Sequence, residues 1–370
     1  MKNINLLSLT KTIVSIKSDV SDKSNEAELA EYITRYLSKI PGLEVEKQNV
    51  TKDRCNIVAV KGNPDIFLLG HMDTVPVSRD EQLKPKISSG RIYGRGPVDM
   101  KAGLAQMLLL AKCLDNIGLI FTVDEEYQFL GMKKLITDFK YRPKLIINLE
   151  PTDLDIVTGC RGICEFELEA RGKSAHSSIK FEGINAIEKT IEFCSSLEKN
   201  LRKKDTFGIT TLNLAFLNGG SFIDGKIVSV GNVVPDRVKA LVEIRFGYEG
   251  VIWKELKEEI LKVCEEQKIN INNTKLNFLL GSMNSKGKYL SEFEKELKEN
   301  RKKIGYKDVN RTGYFEAQML QELCKCECIV FGPGPSTQAH KIDEYVDIKE
   351  LDLSYKILLK FLKRNTDTKD

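Results

Sequence analysis

Short apolar runs bounded by turns or charged clusters recur through the N-terminal part of the chain: Cys55–Val60, Ile66–Leu69, Leu119–Val123 and Lys144–Leu149. Runs of this length predict strands buried on both faces, as in a sheet covered by helices. Helical periodicity lies between and before them. Glu26–Leu37 places Ala27, Ala30, Ile33 and Leu37 on one face, with Asn25 as cap and Glu28 completing a capping box. Met100–Leu114 has the same period, with Ala, Leu and Met inward. Alternating strand and helix patterns of this kind predict an α/β fold with a mainly parallel sheet.

The middle of the chain changes character. In Gly162–Arg171, Cys164, Phe166, Leu168 and Ala170 alternate with Glu165, Glu167, Glu169 and Arg171, which predicts a half-exposed strand with three carboxylates toward solvent. Gly183–Leu201 and Val251–Glu266 read as amphipathic helices, Thr211–Leu217 and Val238–Phe246 as strands. The order predicts an inserted α+β domain, two helices on a four-stranded antiparallel sheet, over residues 161–280. Residues 1–160 and 281–370 then form the other domain, its C-terminal part comprising a helix at Ser291–Lys303, a strand at Cys326–Phe331 and a closing helix at Asp347–Arg364.

Composition agrees with this division: 370 residues suit two domains, and 41% hydrophobic with 30% charged residues is a globular balance that excludes disordered and collagen-like classes. The net charge of +4 is too small and too evenly spread to argue for nucleic acid. The longest uncharged run, Thr206–Ile223, is rich in Thr, Asn, Ser and Gly and fits a strand and loop rather than a membrane span. Met1–Lys11 lacks the apolar stretch of a signal peptide, and nine cysteines read as reduced thiols of a cytoplasmic protein. Cys324, Cys326 and Cys328 alternate, which places them on one face of a strand as small apolar residues; Trp253 reads as core.

The chemistry-bearing residues gather at predicted strand ends. The chain has three histidines. His71 follows an apolar run, with Asp73 two residues on; Asp99 lies in a glycine-rich turn before a helix; Asp124-Glu125-Glu126 and Glu150 each close a buried strand; His340 lies in the loop after another. Ligands of α/β sheets gather at such ends. The P-loop spacing is absent around Gly94–Lys101, which excludes a phosphate cradle of that type. Each of these residues has an ordinary structural reading alone. As a set, two imidazoles, three carboxylates and a spare Glu125 suit zinc or a similar divalent metal, a bridging carboxylate and a general base.

The motifs Gly70-His-Met-Asp-Thr-Val-Pro76, Tyr93-Gly-Arg-Gly-Pro-Val-Asp-Met-Lys-Ala-Gly103, Asp124-Glu-Glu126, Asn148-Leu-Glu-Pro151, Gly172-Lys-Ser-Ala-His-Ser-Ser178 and Gly332–Tyr345 follow one another in order. In this the chain resembles the zinc-dependent aminoacylase and carboxypeptidase family, which includes acetylornithine deacetylase, succinyl-diaminopimelate desuccinylase and related dipeptidases. The resemblance implies that His71 and Glu150 bind one zinc, Glu126 and His340 a second, and Asp99 both, with Co or Mn as substitutes. It implies Glu125 as general base, Asp73 as the residue orienting His71, and a cis peptide between Asp99 and Met100. It further implies that His176, in a dimerisation or lid domain, stabilises the oxyanion, that Arg245 holds a substrate carboxylate, and that Asn232 and Gly334 make lesser substrate contacts.

The last motif is most similar to acetylornithine deacetylase, which implies hydrolysis of N-acyl amino acids by a homodimer. Cys160 stands where the desuccinylases carry arginine, and Arg161 where the deacetylases usually carry lysine. A desuccinylase, a dipeptidase or a carboxypeptidase is the alternative within this chemistry; a metal-binding protein without turnover is the alternative outside it.

Overall fold

The computed structural model describes residues 5–20, 26–300 and 304–366. The chain forms two compact units, one within Met1–Thr158, Ser285–Asp308 and Phe315–Asp370, the other within Gly159–Asn284 and Val309–Tyr314. The short segment Val309–Tyr314 belongs to the second unit although it lies far along the chain. Its attachment is polar: Arg161 donates to the main-chain oxygens of Ile209 and Asn310, and Asn310 Oδ1 accepts the Ile209 N–H at 2.7 Å.

The first unit is built on a six-stranded sheet in the order Glu44–Asn49, Cys55–Lys61, Ile117–Thr122, Ile66–His71, Leu145–Asn148 and Glu327–Val330. The last four strands are mutually parallel and the first two antiparallel. Ile66–His71 and Ile117–Thr122 are buried at every position, as unbroken apolar strands between helical layers must be. The helix Ala102–Cys113 packs so close that a Cβ at Gly103 would lie 2.6 Å from the Leu149 main-chain oxygen, so only glycine fits there.

The helix expected from Glu26 runs Ala27–Leu37, and Asn25 lies outside the described residues. Glu26, the residue before it, does not cap it, because its carboxylate turns inward to Arg54 and the Asp124 N–H. The helix expected over Ser291–Lys303 is described as Lys288–Asn300, and 301–303 lie outside the described residues. The three alternating cysteines do not share a strand. Cys324 ends the helix Glu316–Cys324, Lys325 adopts a left-handed conformation, and only Cys328 lies within Glu327–Val330.

The second unit is a five-stranded antiparallel sheet ordered Lys226–Val228, Thr211–Ile223, Arg237–Phe246, Gly162–Arg171 and Asn270–Leu280. The short Lys226–Val228 hairpin arm is the strand beyond the four expected. The helices Ala186–Arg202 and Trp253–Gln267 cover a core containing Phe166, Phe193, Val242 and Phe246. Trp253 is half-buried against this core, its ring 5.7 Å from that of Phe166. On the other face the expected carboxylates are paired: Glu169 with Lys239, Glu167 with Lys275, and Glu165 with Asn277. Cross-strand pairs of this kind let one face of the sheet remain in water.

Candidate active site

The C-terminal ends of the four parallel strands point to one place. His71 is the last residue of its strand, Glu125 and Glu126 follow Ile117–Thr122, Glu150 follows Leu145–Asn148, and the loop after Glu327–Val330 carries His340. Asp99 comes from the turn Pro97–Lys101 that enters the central helix, and its peptide bond to Met100 is cis.

His71 is buried. Its Nδ1 lies 3.0 Å from the Asp73 main-chain oxygen, which can only accept, so the proton of the neutral ring sits on Nδ1. Nε2 is thereby freed toward Asp99 Oδ1 at 3.1 Å and Glu150 Oε1 at 3.5 Å, with Glu125 Oε2 at 4.0 Å. His340 is exposed and has a positive φ of 66°. Its Nε2 lies 3.1 Å from Glu126 Oε2 and 3.4 Å from Asp99 Oδ2. One oxygen of Asp99 thus faces each histidine, and each histidine has a further carboxylate beside it.

The electrostatics follow from burial and crowding. Burial raises Glu125 well above the usual carboxylate range and Glu150 to about 7, with neighbouring carboxylates adding to it. His340 is raised to about 10 by hydrogen bonds to Asp99 and Glu126. His71 is raised despite its burial, because Glu150, Asp73 and Asp99 favour its charged form. Burial would raise Asp99, but hydrogen bonds from His340 and His71 outweigh it and lower the carboxyl. A crowd of carboxylates with too few positive charges is what a cation would relieve. One donor atom each from His71, Asp99 and Glu126 lies within 4.8 Å of the others. The donors are all nitrogen and oxygen, which suits zinc or a comparable divalent ion. The residues present fit such a metal.

The turn Asp124–Glu126 is held from three sides. Asp73 accepts the N–H groups of Glu125 and Glu126 at 3.1 and 2.9 Å. Glu26 accepts that of Asp124, and Arg54 pairs with both Glu26 and Asp124. Asp124 itself has a φ of 67° and accepts the N–H groups of Gln128 and Leu130. Gly334, with φ 83°, donates to Glu350 and accepts from Asp153; a Cβ there would meet Val98 at 2.4 Å.

The remaining residues singled out in the sequence lie in the second unit. His176 and Asn232 adjoin: the Ser177 N–H donates to the Asn232 oxygen at 2.9 Å, and His176 bridges Val233. Nδ1 of His176 accepts the Ser178 N–H, which leaves Nε2 as the protonated nitrogen of the neutral ring. Arg245 is register partner to Thr211; its Nε lies 2.9 Å from Glu243, and its guanidinium 5.5 Å from the Tyr314 ring centre.

Several residues around the metal-ligand candidates were not singled out by sequence. Glu344 is buried and accepts from Arg95 and the Gly96, Val98 and Asp99 N–H groups. Glu316 is buried beneath the strands, with Thr122 donating to it at 2.6 Å. Burial raises its carboxyl to about 8. An acid in the first helical turn ordinarily reads as a partner of the helix dipole, so nothing in the local pattern marks Glu316.

The profile of peptidase family M20/M25/M40 matches residues 67–364. The chain belongs to this family. Its members are metallopeptidases that hydrolyse peptide and amide bonds. A probable carboxypeptidase of Aspergillus clavatus is 32% identical over 272 residues, 65% of this chain and 62% of the relative. The match thus spans under two thirds of that relative's length. Among solved structures, aminopeptidase PepT from Bacillus cereus has a TM-score of 0.75 at 20% identity, covering 97% of both chains. The M20 family metallo-carboxypeptidase of Sulfolobus solfataricus has a TM-score of 0.73 at 17% identity, covering 99% of this chain and 100% of that one. These structures share the fold of this M20 chain: a mainly parallel α/β unit and a separate antiparallel α+β unit. Among the described residues, no helix is long and apolar enough to cross a membrane.

Proposed function

We propose that this M20 chain hydrolyses an amide bond next to a free carboxylate, in the manner of the acetylornithine deacetylase-type N-acyl amino acid deacylases. The observation that carries the reading is the position of Asp99 between His71 and His340, each with its own carboxylate, Glu150 and Glu126. In this reading His71 and Glu150 would hold one zinc, His340 and Glu126 a second, and Asp99 would serve both, with Co or Mn as substitutes; the metal would supply Lewis acidity and lower the pKa of water toward 7.

The chain's own residues do the rest. Glu125 accepts the proton of the attacking water and hands it to the leaving amine. Asp73 holds the turn that carries Glu125. His176 donates from Nε2 to the developing oxyanion. Arg245 makes a charge-assisted pair with the substrate carboxylate, its fork oriented by Glu243, while Asn232 and Gly334 offer lesser contacts. The unit around Gly162–Leu280 is the dimerisation and lid domain of a homodimer, in which His176 serves the partner subunit's site. All nine cysteines are free thiols, which supports a reducing, cytoplasmic setting.

A carboxypeptidase or dipeptidase is the second reading, favoured by the name of the Aspergillus clavatus relative. The test is a panel of N-acetyl and N-succinyl amino acids and dipeptides, offered to zinc-loaded protein. Turnover of acetyl amino acids above the others supports the deacylase. Turnover of dipeptides alone replaces it with the second reading. Zinc uptake without any turnover overturns both in favour of a catalytically silent metal-binding protein.

A further inference from the structure

The turn that carries Asp99 and the loop that carries His340 are far apart in sequence, and neither residue lies in a strand or a regular α-helix. His340 in particular is exposed, with a left-handed backbone. The segments are tethered just outside these two residues by the antiparallel pairing of Arg91–Tyr93 with Tyr345–Asp347, and one side chain carries the connection to the Asp99 turn itself. Glu344, four residues after His340, is 1% exposed and directs both carboxylate oxygens into the Asp99 turn. Oε1 accepts the N–H groups of Val98 and Asp99 at 3.1 and 3.2 Å. Oε2 accepts the Gly96 N–H at 3.0 Å and Arg95 Nη1 at 2.9 Å.

The same two segments are fastened on either side of this carboxylate. Arg95 Nη1 also donates to the main-chain oxygen of Lys341, the neighbour of His340, at 3.2 Å. The Gly94 N–H donates to the main-chain oxygen of Glu344, and the Gln82 side chain donates to that of Ile342 while its own main-chain oxygen accepts the Arg95 N–H. The anchor therefore reaches the backbone of Asp99 directly and that of His340 through its neighbour.

We propose that Glu344 is a positioning residue that sets the distance between Asp99 and His340, and with it the affinity of the metal site those two residues share with Glu126. This rests on the di-metal reading given above. A carboxylate suits the task because its two oxygens can accept four donors at once, and Arg95 compensates its buried charge. An amide of the same shape has a single accepting oxygen, and its NH2 group would face donors.

The test compares wild type with Glu344→Gln, both checked for folding by circular dichroism. Zinc affinity is measured by chelator competition, Co(II)-loaded protein is examined by visible absorption, and kcat and KM are measured on whichever substrate of the panel wild type hydrolyses. We expect one of two zinc equivalents to weaken at least ~10-fold while the other is held, and kcat to fall roughly 10–100-fold with KM nearly constant, the range typical of lost outer hydrogen bonds. The Co(II) spectrum should change as well. Unchanged affinities and kcat in the folded variant would overturn the inference. So would a proportional loss of both equivalents and of folded protein with kcat per loaded site unchanged, because that is a structural role only. If Glu344→Gln does not fold, Arg95→Lys, which keeps the charge but removes the Nη1 group that donates to both Glu344 and Lys341, is read in the same way. Wild type that fails to take up two equivalents defeats the di-metal reading itself, and the inference falls with it.

Discussion

Asp73 holds Glu125 by its main chain: the carboxylate that stands two residues after His71 accepts the Glu125 N–H at 3.1 Å with one oxygen and the Glu126 N–H at 2.9 Å with the other. The contact to His71 itself runs through the Asp73 main-chain oxygen at 3.0 Å, with the carboxylate farther off at 3.6 Å. One residue therefore fixes the tautomer of a ligand candidate and the place of the base candidate. Asp73→Asn keeps the shape but turns one acceptor into a donor facing an N–H. The expected outcome is a folded protein whose kcat or metal affinity falls roughly 10–100-fold. Steady-state kinetics and zinc titration check it.

Glu125 approaches His71 no closer than 4.0 Å, whereas Asp99 and Glu150 come nearer. Glu125→Gln is accordingly expected to retain zinc at wild-type stoichiometry and to lose at least about two orders of magnitude in kcat, within the ~10²–10⁴-fold range of general-base catalysis. Full activity in the zinc-replete variant would remove Glu125 from the role.

Mixing two inactive variants tests the proposed homodimer. His176→Ala and Glu125→Gln subunits, each inactive alone, should regain part of the activity once subunits exchange, since one of the two sites in a mixed dimer is then complete. Exchange demonstrated by mass with no recovery of activity would place His176 in its own subunit's chemistry or outside the reaction.

Glu316 gives a prediction in pH. Its carboxyl, raised by burial to about 8 from an ordinary 4.5, keeps its proton in the native state up to a pH at which the unfolded chain has lost it. The native state binds the extra proton, so stability in metal-free protein falls as pH rises through that window. Glu316→Gln keeps the hydrogen bond from Thr122 and removes the ionisation. Its Tm relative to wild type should be unchanged near pH 4 and higher near pH 8.5, by roughly 2–4 °C for each ~1 kcal/mol relieved. A constant difference between the two proteins at all pH values, measured with chelator present, would rule this out.

The alternation of buried strand and helix, and the clustering of acids and histidines at strand ends, were legible in the sequence because both are local. A strand buried on two faces must be apolar along its length, and polar residues can reappear only where it ends. The ligand set rests on the resemblance carried by the ordered motifs: His71, Glu126 and Glu150 lie within a few residues of a strand end, whereas Asp99 lies in the turn Pro97–Lys101 and His340 in the long loop after Val330. Local patterns failed where a side chain's partner is distant. Glu26 reads as a residue at a helix start, yet its carboxylate serves Arg54 and the Asp124 turn. Cys324, Cys326 and Cys328 alternate as if in one strand, but a left-handed Lys325 separates helix from strand. Glu344 and Asp99 lie 245 residues apart and meet only in the folded unit. Glu327–Val330 joins the sheet beside Leu145–Asn148 and sends its following loop to the same end as the other parallel strands. Periodicity reports which face of an element is buried. Which distant donors a buried carboxylate accepts depends on the order of strands in the sheet, and so tertiary structure alone could bring Glu344 to the Asp99 turn.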